Sequence, residues 1–310
     1  MSNIKSIGGK KVNFDFNKDF INVFSDKIKS SDIKFINQTL KDLHPSDVAN
    51  LIENLSPEKR SKLIEIEEFN IDPEIFIEIN ESVQTEILKE LNADSISKIL
   101  KRLESDNSIK ILENLDTQRK LEVLDKLPPK DRFLLEEGLS YPEDSAARIM
   151  QREFTAVPSD WSVGQTIDYL RESKDLPEEF LEIFIVNNEF KPIGIVPSSR
   201  VLRTPRDTKM NDIMREMPVL ISVNMDKEEV GHAFENYNLV SAGVVNKENK
   251  LVGMITADDI VTVVQEEAEE DVLRLAGVGD EEITDSVIIK TKRRFNWLLL
   301  NLFTALLATW

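Results

Sequence analysis

The chain has 310 residues, 41% hydrophobic and 31% charged, the balance of a globular protein with room for two or three cores. Acidic residues outnumber basic ones 57 to 39, and the net charge of −18 repels phosphate backbones, so nucleic acid is excluded as a partner while cations or a basic surface are favoured. There is no cysteine, which excludes disulfides, zinc-thiolate centres and thiol nucleophiles, and the two histidines, His44 and His232, lie too far apart in sequence to suggest a triad or a histidine-rich metal site.

The opening stretch MSNIKSIGGKKVNF has no apolar core, so it does not read as a signal peptide and a cytosolic placement is expected. Residues 1–32 form a leader. From Ile33 to Ser140 the sequence repeats: Leu43, Leu55, Ile79, Leu91, Leu103, Leu115 and Leu127 fall on a spacing of 12, with Glu67 breaking the series. Turn and N-cap residues follow these positions, as in His44-Pro45-Ser46-Asp47, Ser56-Pro57, Asn92-Ala93-Asp94 and Asp116-Thr117. Short apolar stripes at helical spacing, such as Val48, Leu51, Ile52 and Leu55, lie between them. The pattern predicts one short helix and one turn per repeat, each helix burying its stripe on the next. Helices of about two turns are unstable alone, so the stacked array must hold them, as a superhelix of either hand.

From Tyr141 to about Val264 β-branched runs alternate with helical stretches, which predicts a mixed α/β domain. The region is duplicated. One copy runs through Ala147–Met150, Val157-Pro158, a helix over Val163–Arg171, strand Phe184–Val186, an Asn187-Asn188 turn and strand Gly194–Val196. The other runs through Asn211–Met214, Pro218-Val219, a helix over Glu229–Tyr237, strand Gly243–Val245, a turn over Asn246–Asn249 and strand Gly253–Ile255. A doubled β-α-β-β-α unit accounts for both.

Beyond Thr256 a helical stripe of Ile260, Val263, Val264 and Val272 carries an acidic face with Asp259, Glu266, Glu267, Glu270 and Asp271. Like charges at i,i+4 destabilise an isolated helix by roughly a few tenths of a kcal/mol per pair. No lysine is interleaved and Arg274 is the one base nearby in sequence, so something outside the helix should neutralise the face. A divalent cation held by hard carboxylate oxygens would do so; a solvated acidic helix is the other reading. Finally, Lys290-Thr291-Lys292-Arg293-Arg294 precedes Trp297 and an apolar run to Trp310. A basic flank, an interfacial tryptophan and an apolar run shorter than the roughly 20 residues that span a bilayer favour a membrane helix cut short, the other reading being an amphipathic or buried terminal helix. No nucleophile–base pair or glycine-rich phosphate loop is present, so an enzyme is not expected.

The duplicated unit resembles a pair of CBS domains, and the whole order resembles the MgtE family: a short-helix N domain, tandem CBS domains, an acidic helix and a membrane helix. The most specific stretch is YPEDSAARIMQREFTAVPSDWSVGQTIDYLR, with alanine at Ala147 where the family commonly has glycine. The resemblance implies an all-α superhelical N domain at 33–140, CBS domains at 141–204 and 205–258, a plug or connecting helix at 259–285 and the start of a transmembrane helix at 286–310. It implies the magnesium-sensing region of a homodimeric channel of the inner membrane, paired through its CBS domains and plug helices. Residues 1 to about 294 would be cytoplasmic, and Mg2+ between acidic surfaces would favour the closed pore. The implied magnesium ligands are Asp259, Glu267, Glu270 and Asp271 around the plug helix, Asp226 and Glu228 on the second CBS domain, and Glu74 and Asp106 in the N domain. Lys110 and Asn238 stand where acidic ligands are expected, and Glu235 where a small residue is. CBS domains also bind adenine nucleotides through a Gly-h-h-Ser/Thr-x-x-Asp pattern. The second copy keeps it as Gly253…Thr256…Asp259, which implies possible ATP contacts at Thr256 and Asp259; the first copy has Pro197 and Arg200 there. The other functional class left open is a soluble CBS sensor of adenine nucleotides.

Overall fold

The computed structural model describes residues 18–66, 72–177 and 179–275, with backbone alone for residues 18, 269–271 and 273–275. Glu67, most of the leader, any plug helix past Leu275 and the apolar run to Trp310 lie outside the described residues. The chain divides after Tyr141 into two compact units.

The first unit is all helix. After α1 (Lys18–Lys29) come α2 (Ile33–Asp42), α3 (Pro45–Glu53), α4 (Pro57–Glu65), α5 (Pro73–Glu78), α6 (Glu81–Glu90), α7 (Ala93–Leu100), α8 (Ser105–Glu113), α9 (Thr117–Leu124) and α10 (Pro129–Leu139). Apart from α1 and α5, these helices begin at residues 33, 45, 57, 81, 93, 105, 117 and 129, on the 12-residue period. Side-chain caps set several of these starts: Asn80, Asn92 and Asp116 accept from the amides of Val83, Ser95 and Arg119, whereas α4, α8 and α10 begin without one. The His44 ring likewise accepts from the Ser46 amide. Leu55, Ile79, Leu115 and Leu127 are buried in one continuous core, and Leu43, Leu91 and Leu103 pack against it.

The stacking differs from the expected one in its step. The close backbone approaches run α3 on α5, α4 on α6, α7 on α9 and α8 on α10, so a helix rests on the one after next. Each turn reverses the chain, and two helix-and-turn steps bring it back alongside itself. Asp47 and Arg60 are buried in this array, and Arg60 donates to both carboxylate oxygens of Glu86, at 3.1 and 2.6 Å, and to the Leu55 carbonyl at 2.8 Å. That satisfies a guanidinium which would be costly to bury alone.

The second unit holds two three-stranded sheets. In the first, β1 (Ala156–Pro158) runs parallel to β2 (Glu182–Val186) through helix α11 (Val163–Glu172), and β3 (Pro192–Pro197) returns antiparallel before α12 (Ser198–Arg203). After α13 (Met210–Ile213) the second repeats it: β4 (Ile221–Ser222), α14 (Lys227–Tyr237), β5 (Ser241–Val245), β6 (Leu251–Thr256) and α15 (Ala257–Leu275). The predicted order of elements is thus present in both copies. Alternation explains why β2 is apolar from Ile183 to Val186. Ile183 and Ile185 face the core of their own copy with Val163 and Val201, while Phe184 and Val186 pack with Leu251 and Met254 of the other.

The copies are stitched crosswise. Gln151, ahead of the first sheet, exchanges both backbone hydrogen bonds with Met254 of the second, and Arg215, ahead of the second, exchanges both with Ile195 of the first. The glycines at these seams are required by closeness. A Cβ on Gly253 would sit 2.7 Å from the Gln151 carbonyl oxygen, and one on Gly194 would sit 2.8 Å from that of Arg215.

Candidate functional site

The site grows from the end of β6. Thr256 is the residue before α15, and Asp259 is the third residue of that helix, the spacing of a capping box. The Asp259 carboxylate accepts from the Thr256 amide at 2.9 Å and from its hydroxyl at 2.5 Å. Gln151, arriving across the seam between the copies, donates to the same oxygen at 3.3 Å. Burial pushes the Asp259 carboxyl above its ordinary range, against these hydrogen bonds, which favour the charged form. The Gly-h-h-Thr-x-x-Asp pattern therefore acts here as a helix cap. In the first copy, Pro197 has no hydroxyl to offer, α12 lacks a side-chain cap, and Arg200 instead donates to the Ile213 carbonyl at 2.8 Å.

Helix α14 packs against α15, and Gly231 faces Ile260 and Val264 at the crossing. Val261, Val264 and Val272 remain exposed on α15. At the other end of the contact, the Lys227 ammonium lies 3.0 Å from Glu267 and 3.0 Å from Asp144. Burial works against that ammonium, but hydrogen bonds and charge from Asp144 and Glu267 overcome it and hold the group above the ordinary lysine range. This corrects the expectation that no base relieves the acidic face. A lysine 40 residues upstream does so at Glu267, brought in by the helix pairing, where sequence neighbours alone gave Arg274.

The remaining predicted residues fall as follows. Asp226 caps α14 by accepting from the Glu228 amide at 2.9 Å, and both side chains are exposed. Asp226 and Glu228 therefore flank Lys227 on the turn that meets Glu267. Asp259 and Glu267 are eight residues, about 12 Å, apart along α15, so one ion cannot bind both directly. The side chains of Glu270 and Asp271 lie outside the description. In the first unit, Glu74 and Asp106 are each the second residue of a short helix, α5 and α8. The α5 cap, Asp72, lies 3.8 Å from Arg102 in the turn before α8. Among the described residues no group of three or more histidines and carboxylates is placed to hold a metal ion. None of the described helices is long and apolar enough to cross a membrane.

One expected oddity acquires a physical reason. Asn238 ends α14 in the left-handed conformation, φ 49 and ψ 51, which asparagine tolerates better than aspartate or glutamate do. Lys110 is exposed on α8, one turn after Asp106, and Glu235 is exposed on α14. Sequence reasoning missed Lys227 and Gln151. Lys227 carried one signal, a lone base between Asp226 and Glu228 at a helix start. Gln151 could have been found from its place one residue after Met150, matching Arg215 after Met214.

A stacked short-helix unit followed by a cross-stitched α/β pair defines a regulatory module of the CBS type. The MgtE intracellular N domain profile matches residues 43–144, and the CBS domain profile matches 146–207 and 210–266. The chain thus carries an MgtE N domain followed by a CBS pair. It is 28% identical over 169 residues to "Magnesium transporter MgtE" of Enterococcus faecalis (strain ATCC 700802 / V583), covering 54% of this chain and 37% of that protein. It is 29% identical over 171 residues to the protein of the same name from Bacillus subtilis (strain 168), covering 55% and 38%. The matches thus span well under half the length of these relatives. A crystal structure of the soluble part of a magnesium transporter shares the fold with a TM-score of 0.70 at 22% identity, covering 80% of this chain and 98% of that one. The cytosolic domain of the Mg2+ channel MgtE in complex with ATP shares it with a TM-score of 0.70 at 24% identity, covering 78% and 99%.

Proposed function

We propose that this chain is the magnesium-sensing regulatory region of a magnesium channel or transporter of the inner membrane, working as a homodimer, with its described units in the cytoplasm. Mg2+ bound between acidic surfaces would favour the closed pore. The observation that carries this is α15. It leaves the last CBS strand without a break, in a chain that carries an MgtE N domain, and carries Glu266, Glu267, Glu269, Glu270 and Asp271 within six residues. Carboxylate oxygens suit a hard cation that keeps several of its waters, and cancelling like charges along one helix stabilises that helix.

The residues that would hold Mg2+ are, within the second unit, Glu270 and Asp271 on α15 and Asp226 and Glu228 on α14, and, within the first unit taken by itself, Glu74 and Asp106. Asp259 and Glu267 fit less readily. The first is bound up with Thr256 and Gln151 in a buried position that disfavours its charged form, and the second is paired with Lys227. Limited proteolysis with millimolar Mg2+, against Ca2+ and EDTA controls, tests the sensing role. Protection of α15 and of the helical unit by Mg2+ is expected, and cleavage unchanged by Mg2+ would end the proposal.

A second reading, adenine-nucleotide sensing at Thr256 and Asp259, draws on one feature. The threonine hydroxyl and the carboxylate sit together where the two copies meet. ATP titrated in parallel separates the readings, because a nucleotide sensor would gain protection around Thr256 from ATP without Mg2+.

A further inference from the structure

We propose that the Lys227 ammonium is a built-in counter-ion that clasps α15 to the incoming segment at Asp144 and bars divalent cations from Glu267. Three separate pieces of chain meet at this nitrogen. Asp144 is delivered by a short backbone ladder: Lys227 N–H donates to the Asp144 carbonyl at 2.8 Å, Ala146 N–H to Met225 at 2.7 Å and Ala147 N–H to Val223 at 3.1 Å. Lys227 itself is the first residue of α14, and its neighbour Asp226 turns its carboxylate back to cap that helix. Glu267 is delivered by α15, held against α14 where Gly231 faces Ile260 and Val264.

The ammonium is 20% exposed and Glu267 is 17% exposed, so the pair is shielded from solvent far more than Asp144, at 71%. A shielded pair is screened little by salt, and its geometry is fixed from both sides. Two of the three ammonium donors go to the two carboxylates. A Mg2+ ion on the Glu267 oxygen would sit about 2.1 Å from it. That oxygen lies 3.0 Å from the ammonium, so the ion and the lysine charge would crowd one another. An ion on that oxygen would meet the lysine charge at short range, so tight binding there favours displacement of the lysine, which would also release Asp144. The clasp stands apart from the magnesium-sensing proposal: it closes without metal, and it excludes metal at one named carboxylate.

Amide hydrogen exchange on the whole chain in EDTA tests the clasp, using Lys227→Met and Lys227→Arg. Exchange in Lys227→Met is expected to be roughly five- to tenfold faster over residues 260–268 of α15 and at Ala146 and Ala147, with β1 to β3 unchanged and Lys227→Arg restoring most of the protection. Mn2+ as a paramagnetic probe reads the exclusion. Amides 266–268 should reach half-broadening at several-fold lower Mn2+ in Lys227→Met than in the parent. Four results would overturn the proposal: unchanged exchange in Lys227→Met, acceleration at only one of the two places or spread equally into β1 to β3, no rescue by arginine, or Mn2+ broadening that is equal in both chains or absent from both.

Discussion

The two CBS copies share a skeleton and differ at their helix ends. Both have a parallel pair followed by an antiparallel return, a register shift in the middle strand at Ile185/Val186 and at Val244/Val245, and an asparagine that turns the hairpin. Asn187 accepts from the amides of Glu189 and Lys191, and Asn246 from those of Glu248 and Lys250. A left-handed residue sits at the same place in each turn, Phe190 and Asn249. The helices after the last strands part company. α12 has six residues and no side-chain cap, whereas α15 has 19 and is anchored by Thr256 and Asp259. The preceding helices differ too: α11 ends on an extended Ser173, and α14 on a left-handed Asn238. The sheet and its seams are what the duplication needs in order to fold. The helix ends were free to diverge, and there the acidic helix is attached.

If the seams are shared equipment, breaking either should cost alike. Gly194→Val and Gly253→Val are each expected to destabilise the second unit by about 3 kcal/mol, since either Cβ would meet a carbonyl oxygen below 3 Å. Urea unfolding of the two variants checks this, and a large inequality would break the symmetry. The cap should matter only in the second copy. Asp259→Ala is expected to cost about 1 kcal/mol at neutral pH, while Asp259→Asn, which keeps an acceptor without the charge, should cost less.

The pH dependence has a definite sign. The folded-state value of Asp259 lies above its ordinary 3.8, so between the two values the folded chain holds more protons than the unfolded one. In EDTA the parent should therefore gain stability relative to Asp259→Asn as pH falls from above the raised value towards 3.8, and lose that gain as pH rises again. Unfolding curves of both proteins across that window decide it. The smallest effect belongs to the helix ends: Asn238→Gly should stabilise by up to about 0.5 kcal/mol through easier left-handed geometry. Ser173→Gly, at an extended residue, should not.

Much of this fold was legible in the residues because it is periodic. A 12-residue spacing of aliphatic side chains followed by cap residues places helix starts directly, and hairpin asparagines between β-branched runs place the strands. Packing partners were harder to read. Whether a short helix rests on the next or on the one after depends on the turn angle, which no side-chain pattern encodes. The candidate site was legible for its carboxylates, since charge density is a local property of sequence. It was not legible for Lys227 and Gln151, which reach Glu267 and Asp259 from 40 and 108 residues away through helix pairing and the crossed strands. Asn238 looked like a lost ligand in the sequence, and its backbone shows a conformational reason for it.

The crossed seams also bear on ancestry. Gln151 pairs with the last strand of the second copy, and Arg215 with that of the first, so a cut at the boundary between the copies leaves each of these strands without its outer partner. A single-copy forerunner would have faced the same deficit. It could have met that deficit by lending its leading segment to a second molecule and borrowing one in return.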